Sequence, residues 1–465
     1  MPYSVGLQAV GAAFISAGFA TQFTTSVIIF LLIVFNTVII VSGESARQEF
    51  FTAKNFDLTE GFKILSGAIP MVRGVTSDLQ TRRVALIHKR LADIQRNEPL
   101  SQLIPLLLED SRRIMEGWGD SGVFDPFKQI YELTFQTTVR SLSCSEISDD
   151  AILVSRLKNL YDKLDTGTTP ATVLIPWAPT PSMVRKLWAT KEIYDIIVAA
   201  IKAREESGVQ RDDALQMLLD FKDEKLVVVG FIMGLLIAGA RATGTAGKLI
   251  FQLEFLKKCS NITCWLLTYL GGHQEWRAKA YDEIQSLLAA HPAPEDCASI
   301  SKQLATIPLE TWESSTPVLD SIIRETLRVA QPHTAMRRNL GPDTYINGKL
   351  IRSGAYVVYP FSDIHLDPGL YPDPWKFDPA REETKVPYGY VGWGGGKTTC
   401  LGTRLAKLEL KLITAMLLLG FNHDIVDDRG VVADPLPTPN WNDILLCRPP
   451  KGTCNLRYSR TATPL

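Results

Sequence analysis

The sequence GWGGGKTTCLGTRLAKLELKL occupies residues 392–412 and joins a glycine-rich segment to a helical pattern. After Gly402 the apolar residues recur at spacings of three and four, which is typical of an amphipathic helix. Glycine has no Cβ, so the backbone at Gly394, Gly396 and Gly402 can approach another group closely. Two kinds of group fit this pattern: a nucleotide phosphate, or a flat cofactor held by Cys400.

The phosphate alternative requires the pattern G-x-x-x-x-G-K-[ST] after a strand. Gly396, Lys397 and Thr398 match the end of that pattern, but position 391 is Val391 and Gly392 comes one residue late. The phosphate cradle would therefore be one residue short. A P-loop nucleotidase remains only a distant alternative.

The cofactor alternative depends on Cys400, which stands at the start of the predicted helix. Backbone N–H groups and the helix dipole at such a position favour a thiolate. A thiolate can bind haem iron and promote O–O cleavage. Trp393, seven residues earlier, is placed to pack beside the sulfur. The simpler interpretation of a lone cysteine is a small buried hydrophobe.

A second motif lies in SIIRETLRVAQP, where Glu325 and Arg328 are three residues apart on one helix face. Alone, such a pair is usually solvated and worth about 0.2–0.5 kcal/mol. Here the neighbours are apolar, and FDPAR adds Arg381. The sequence predicts a buried carboxylate that bridges two guanidinium groups and fixes the helix to the Pro/Asp-rich segment.

The composition is that of a globular protein: 465 residues, 46% hydrophobic and 21% charged. Helical periodicity dominates to about residue 340, and short strands with a hairpin turn at Asn347 and Gly348 follow. The uncharged run at 226–240 is short for a membrane span and predicts a buried core helix, which would reach Lys258 if continuous. The predicted class is mainly α with minor β.

Charge and cysteine usage exclude several functions. The formal net charge of −1 provides no overall field for nucleic acid. Seven cysteines without a CxxC pair do not form a disulfide framework and indicate a reducing compartment. The six histidines do not have the spacing of a zinc site.

The first charged side chain is Glu44, and the run SVIIFLLIVFNTVIIV precedes it. An uncharged stretch of this length can span a bilayer. It lacks the positive start of a cleaved signal peptide. The sequence predicts a membrane anchor at 1–35 and a folded domain at 36–465.

Taken together, these motifs resemble the cytochrome P450 superfamily of haem-thiolate monooxygenases, of the eukaryotic membrane-bound type, from roughly Asn36 to the end. The family signature F-x-x-G-x-R-x-C-x-G is matched by Trp393, Gly396, Cys400 and Gly402. Thr398 stands where the family has an arginine or histidine that meets a haem propionate.

The other two family motifs are also present in the expected order. The family's E-x-x-R corresponds to Glu325 and Arg328, and Arg381 corresponds to the arginine of its PERF segment. By this resemblance, Arg338 and more weakly His88 would contact the propionates of haem b.

The resemblance implies a triangular α-rich domain with small β-sheets and a long central helix over the distal haem face. It makes Cys400 the iron ligand. Because only about 35 residues precede the early strand and helix of TVIIVSGESARQEFF, the apolar run is alternatively part strand.

The central helix departs from the family pattern [AG]-G-x-[DE]-T-[TS]. Arg241 replaces the acid, Ala242 replaces the first threonine, and Thr243 is the nearest hydroxyl. Proton delivery to iron-bound dioxygen would then need Thr243 and ordered water. The alternative is a haem-thiolate isomerase or dehydratase that does not need NADPH.

The resemblance also implies partners: an NADPH-dependent flavoprotein reductase, a lipophilic small-molecule substrate such as a secondary metabolite, and the endoplasmic reticulum membrane with a cytosolic catalytic domain. Lys397, Arg404, Lys407 and Lys411 lie beside or beyond Cys400, and the last three share a helix face. An acidic flavodoxin-like module is predicted to dock there. A solvated face is equally consistent with this spacing.

Overall fold

The computed structural model describes residues 37–58, 60–61, 81–167, 179–240, 255–294, 298–331, 334–441 and 447–465. The predicted anchor at 1–35 and the three central-helix positions at 241–243 lie outside these ranges. The described helices share the core of the protein in a helix-rich arrangement. They are α1 (Glu44–Thr52), α2 (Thr81–Ile94), α3 (Asn97–Glu116), α4 (Pro126–Leu142), α5 (Ser145–Ser148), α6 (Ala151–Thr166), α7 (Pro181–Ser207), α8 (Ala214–Asp220), α9 (Lys225–Ala240), α10 (Phe255–Gly272), α11 (Gln274–Ala290), α12 (Ile300–Ala305), α13 (Leu309–Ser314), α14 (Pro317–Ala330), α15 (Ser362–His365) and α16 (Thr403–Gly420).

The strands form small sheets at the edges of this helical core. They are β1 (Val38–Ile40), β2 (Phe56–Asp57), β3 (Ser121–Phe124), β4 (Thr334–Asn339), β5 (Thr344–Ile346), β6 (Lys349–Ile351), β7 (Tyr356–Pro360), β8 (Phe421–Val426) and β9 (Asn455–Arg460). One sheet has the order β1-β7-β4-β2, the second β3-β9-β8, and β5 pairs with β6 alone.

Local sequence signals explain several of these boundaries. Asp125 and Asp213 cap α4 and α8 by accepting backbone N–H bonds from Phe127 and Gln216. Gly208 ends α7 in the left-handed region, at a φ of 62°, a conformation that glycine adopts readily at a helix end.

The predicted hairpin is confirmed. β5 and β6 pair antiparallel around Asn347 and Gly348, whose φ angles are 45° and 74°. Two consecutive positive φ angles are typical of the type I′ turn that the Asn-Gly pair favours.

Helix α16, which follows Cys400, lies in the centre of the core and is buried along most of its length. Trp265 of α10 and Trp312 of α13 are fully buried in the same cluster. The predicted mainly α class with minor β is confirmed. The predicted helix at 226–258 corresponds to α9 and the start of α10, and the residues that join these helices lie outside the described ranges.

Within the described residues, no helix is both long enough and apolar enough to cross a membrane.

Candidate functional site

Glu325 on α14 is buried and holds two arginines. Its carboxylate accepts Nε and Nη2 of Arg328 at 2.8 and 2.7 Å, and Nε of Arg381 at 3.1 Å. It also accepts the backbone N–H of Asp378 at 3.0 Å. The carboxylate thus bridges α14 and the segment after α15, which is the arrangement that the Glu325, Arg328 and Arg381 spacing predicts.

The two guanidinium groups extend this contact to backbone carbonyls. Arg328 donates to the C=O groups of His365 and Pro374, both at 2.7 Å. Arg381 donates to those of Pro372 and Asp373, at 2.6 and 2.8 Å. The Pro/Asp-rich segment has no regular backbone hydrogen-bond ladder, so these side chains provide partners for several of its carbonyls.

His365 connects this cluster to the segment that carries Cys400. The ring is fully buried and lies against Tyr390, with ring centroids 5.3 Å apart. Its Nε2 accepts the N–H of Val391 at 3.0 Å. Burial and the nearby Arg328 charge lower the pKa of His365 to about 3, so the ring is neutral and Nε2 can accept.

The cysteine loop, residues 391–402, folds back on itself. The N–H of Gly394 donates to Val391 C=O at 2.8 Å, and the N–H of Cys400 donates to Trp393 C=O at 2.7 Å. The hydroxyl of Thr403 donates to Cys400 C=O at 2.7 Å. The half-buried Cys400 therefore occupies a closed turn immediately before α16.

Gly396 is needed for a contact other than the predicted one. Its φ is +59°, and a Cβ there would lie 2.5 Å from the carbonyl oxygen of Phe51 at the end of α1. Gly395 lies close to the Phe51 ring in the same way. The missing side chain at Gly396 thus makes room for α1, and the close approach of this glycine to a porphyrin stays a prediction.

The role predicted for Arg338 at a haem propionate stays a prediction, and the neighbouring Arg337 is a second candidate because it reaches the cysteine loop. Successive strand residues point to opposite faces, and on β4 it is Arg337 that turns inward. Nη2 of Arg337 donates to Oγ1 of Thr398 at 2.7 Å, and Nη1 bonds to Phe50 C=O. Arg338 instead contacts Gly354 C=O at 3.1 Å, with its side chain 36% exposed.

Arg337 is a buried cation with no carboxylate partner among the described residues. It is 2% exposed, and its Nε has no hydrogen-bond acceptor in this part of the protein. Burial lowers the pKa of its guanidinium to about 10. A buried charge of this kind is costly unless an anion accompanies it. The site beside Thr398 therefore fits an anionic group of a bound ligand.

The predicted docking set needs one correction. Lys411 is 2% exposed, because its ammonium group bonds Trp312 C=O at 2.9 Å and Asp320 at 3.0 Å inside the protein. Arg404 and Lys407 are half-buried and paired with Glu313 and Asp320, respectively.

The remaining predicted residues are placed as follows. Lys397 is exposed in the cysteine loop. His88 is half-buried on α2. Gly394 has a φ of 83°, and Gly402 precedes α16. Arg241, Ala242 and Thr243 lie outside the described residues.

Comparison with known proteins identifies the family. A sequence model of the cytochrome P450 family matches residues 257–455. The cytochrome P450 monooxygenase AacuE of Aspergillus aculeatus is 30% identical over 411 residues, which are 84% of this chain and 78% of that protein. The sterol 14-demethylase of Arabidopsis thaliana is 26% identical over 434 residues, which are 90% of this chain and 81% of the relative.

A solved structure has the same fold. The retinoic acid-bound cyanobacterial CYP120A1 superposes with a TM-score of 0.65 over 92% of this chain and 90% of its own, at 21% identity.

This chain belongs to the cytochrome P450 family and is a P450 monooxygenase. The family uses a haem-thiolate cofactor. This membership decides against the phosphate-loop alternative.

The first prediction concerns Glu325. Glu325→Gln keeps the shape of the side chain but leaves Arg328 buried without its counter-charge. Breaking a buried ion pair costs about 3–5 kcal/mol. We expect a marked fall in the yield of folded, haem-loaded protein and in the urea midpoint.

The matched control for this prediction is Glu383→Gln. Glu383 pairs with Arg324 at 2.8 Å, but its side chain is 79% exposed. Exposed pairs are worth about 0–1 kcal/mol, so this variant should behave almost like the wild type. Equal behaviour of the two variants would show that the buried pair does not hold the fold.

The second prediction concerns pH. A histidine with a pKa of about 3 in the folded protein and about 6.5 unfolded stabilises the fold above pH 6.5, and this contribution is lost as pH falls towards 3. His423, whose pKa burial lowers to about 4, contributes with the same sign. His365→Gln keeps an acceptor for the N–H of Val391 and removes the titration.

The measurement is urea denaturation between about pH 6.5 and pH 5, where the stability of His365→Gln should depend less on pH than that of the wild type, by about 1 kcal/mol per pH unit. The carboxylates titrate equally in both proteins and cancel in the comparison. Parallel pH curves would contradict the neutral, buried state of His365.

Proposed function

We propose that this P450 monooxygenase oxidises a lipophilic small molecule, such as a secondary metabolite, with dioxygen and with electrons that an NADPH-dependent flavoprotein reductase delivers. The observation that carries this proposal is the closed loop that presents Cys400 at the start of α16. The N–H of Cys400 donates to Trp393 C=O at 2.7 Å, and this bond fixes the cysteine backbone.

We assign the cofactor, haem b, to this loop. Cys400 is the iron ligand, and Arg337 is the cation for a haem carboxylate. Two features of the site fit a haem carboxylate. The buried Nε of Arg337 lacks an acceptor among the described residues, and Thr398, beside it, carries no negative charge that would repel the carboxylate. The uncharged Thr398 leaves Arg337 as the principal cation on this side. Trp393, Gly394 and Gly402 complete the loop, and His88 is a further candidate.

When bound, the haem activates dioxygen, and a thiolate ligand favours O–O cleavage. The protein's part is to keep Cys400 ionised and in place. The first N–H groups of α16 have no partner within the helix, and they stabilise a negative charge at its start. Glu325 holds the segment before the loop through Asp378 and Arg381, and His365 bonds Val391 at the start of the loop.

Proton delivery is assigned to Thr243 with ordered water, since Arg241 stays protonated and Ala242 has no polar group. If this assignment fails, an isomerase or dehydratase becomes the better explanation, because those reactions do not need protons delivered to dioxygen. Turnover with and without NADPH distinguishes the two.

Electron entry is assigned to the surface beside the cysteine loop. Lys397 is exposed beside Cys400, whereas Arg404 and Lys407 are half-buried and paired with Glu313 and Asp320, so the positive charge of this surface comes chiefly from Lys397. Electrostatic complementarity of this kind steers association with an acidic partner. Lys411 is not part of this surface, because it is buried.

The proposed substrate class and cellular location are inferred from relatives of this chain and from its sequence. The sterol 14-demethylase of Arabidopsis thaliana, which covers 90% of this chain, acts on a sterol, and this supports a lipophilic substrate. We propose that residues 36–465 form the catalytic domain and that 1–35 anchor it to the endoplasmic reticulum membrane, with the domain in the cytosol.

The third prediction tests the ligand and the reaction together. Cys400→Ser replaces a soft thiolate by a hydroxyl, a poor iron ligand. The red-shifted Soret band of the ferrous–carbonyl form should disappear, and so should NADPH-dependent product formation with the reconstituted reductase. The wild type, screened against terpenoid, polyketide and fatty-acid substrates, should form product only with NADPH. A red-shifted band in Cys400→Ser would rule out this ligand, and wild-type turnover without reductase would favour the isomerase alternative.

The fourth prediction compares neighbouring arginines. Arg337→Leu removes a charged hydrogen bond worth about 1.5–3 kcal/mol, so haem should pass to excess apomyoglobin about tenfold faster or more. Arg337→Lys keeps the charge but not the planar fork and should be intermediate. Arg338→Leu, on the opposite face of β4, is the control and should resemble the wild type. Equal haem loss from Arg337→Leu and Arg338→Leu would refute the assignment.

A further inference from the structure

Gln95 lies at the junction of α2 and α3, and its side chain reaches the first turn of α16. The carboxamide is buried, with the residue 8% exposed. Its Nε2 donates to Leu401 C=O at 2.8 Å and to Leu91 C=O at 3.1 Å. Its Oε1 accepts the backbone N–H of Leu405 at 3.3 Å. One side chain therefore bonds two backbone groups directly after Cys400.

These two groups would normally bond each other. In an α-helix the N–H of one residue donates to the C=O four residues earlier, which pairs Leu405 with Leu401. Here the Gln95 carboxamide replaces that bond: it donates to Leu401 C=O and accepts from Leu405 N–H. The first backbone bond of this turn is instead from Ala406 N–H to Gly402 C=O, at 2.9 Å. The helix thus begins one residue later than the direct pairing would allow.

The bond to Leu401 also sets the direction of the next amide. In a trans peptide the C=O of Leu401 and the N–H of Gly402 point in opposite directions. By holding the carbonyl, Gln95 holds that N–H as well. The N–H groups at a helix start have no acceptor within the helix and stabilise a thiolate nearby.

The junction that carries Gln95 is itself fixed to α16. The guanidinium of Arg404 bonds the backbone C=O of Gln95 and donates to Oδ1 of Asn97 at 2.7 Å. The side chain and the backbone of Gln95 therefore both contact α16, and the carboxamide cannot move without the helix start.

We propose that Gln95 is a positioning residue for Cys400. It keeps α16 from beginning one residue earlier, at Gly402, and so fixes the cysteine backbone and the Gly402 amide that follows it. This inference rests on the proposed ligation of haem iron by Cys400. Without the carboxamide, Leu405 N–H and Leu401 C=O pair directly, the helix extends by one residue, and the Cys400 sulfur turns from its place.

The test uses two variants and a matched control in the haem-loaded protein. Gln95→Leu removes all three side-chain hydrogen bonds, including those to Leu401 and Leu405. Gln95→Glu keeps the shape of the side chain and the acceptor for Leu405 N–H, but it places a carboxylate oxygen against Leu401 C=O. This variant tests the proposal if Gln95→Leu does not accumulate as folded protein. Gln102→Leu makes the same change at an exposed position of α3. The readouts are the ferrous–carbonyl Soret band, the ferric/ferrous midpoint potential and the urea midpoint.

We expect the fraction of haem with an unshifted Soret band to rise about fivefold in Gln95→Leu, which is the population ratio for one hydrogen bond of about 1 kcal/mol. The rise should be larger in Gln95→Glu. The midpoint potential should move to more negative values, since the thiolate loses N–H donation, and Gln102→Leu should match the wild type.

An unchanged Soret band and potential in both Gln95 variants would overturn the proposal, even if the urea midpoint fell, because a purely structural residue affects only the latter. If the wild-type protein itself lacked the red-shifted band, the proposal that Cys400 binds the haem iron would fail. This result is distinguishable from a failure of the Gln95 proposal.

Discussion

The buried carboxylate of Glu325 is the contact on which the geometry around Cys400 depends. It neutralises Arg328 and accepts from Arg381, and these two arginines in turn bond the carbonyls of a segment that has no regular ladder. A lone guanidinium could not remain in this interior, and without the guanidiniums the carbonyls would lack partners. One acidic side chain thus makes it possible for an irregular segment to lie against a helix and lead into the cysteine loop.

Three side chains fix the cysteine loop from different directions, and the first of them, His365, is bonded to the Glu325 cluster through Arg328. His365 holds Val391 at the start of the loop, Arg337 meets Thr398 in the middle, and Gln95 bonds Leu401 at the end. They come from α15, β4 and the α2–α3 junction, which are far apart in sequence. The loop is therefore fixed by tertiary contacts, as a ligand position must be if it is to hold its geometry through catalysis.

The sequence was sufficient for the motifs that are local and for the fold class. The Asn347-Gly348 hairpin, the end of α7 at Gly208 and the spacing of Glu325 and Arg328 all follow from chemistry within a few residues. Arg337 was missed because spacing alone cannot tell which of two adjacent arginines faces the cysteine loop, and the residues two positions earlier, Ala335 and Met336, are both apolar and buried. Lys411 was misplaced, since its helix spacing does not reveal that Asp320 and Trp312 cover it. Gln95 gave no local signal, because its partners lie some 300 residues away.

The central claim is that Cys400 provides a sulfur ligand to haem iron. The most direct measurement is X-ray absorption at the iron edge of the purified, haem-loaded wild-type protein. The account predicts one sulfur scatterer in the iron's first shell at about 2.3 Å, the usual length of a metal–thiolate bond, with nitrogens as the other principal ligands. A first shell of nitrogen and oxygen alone would contradict it.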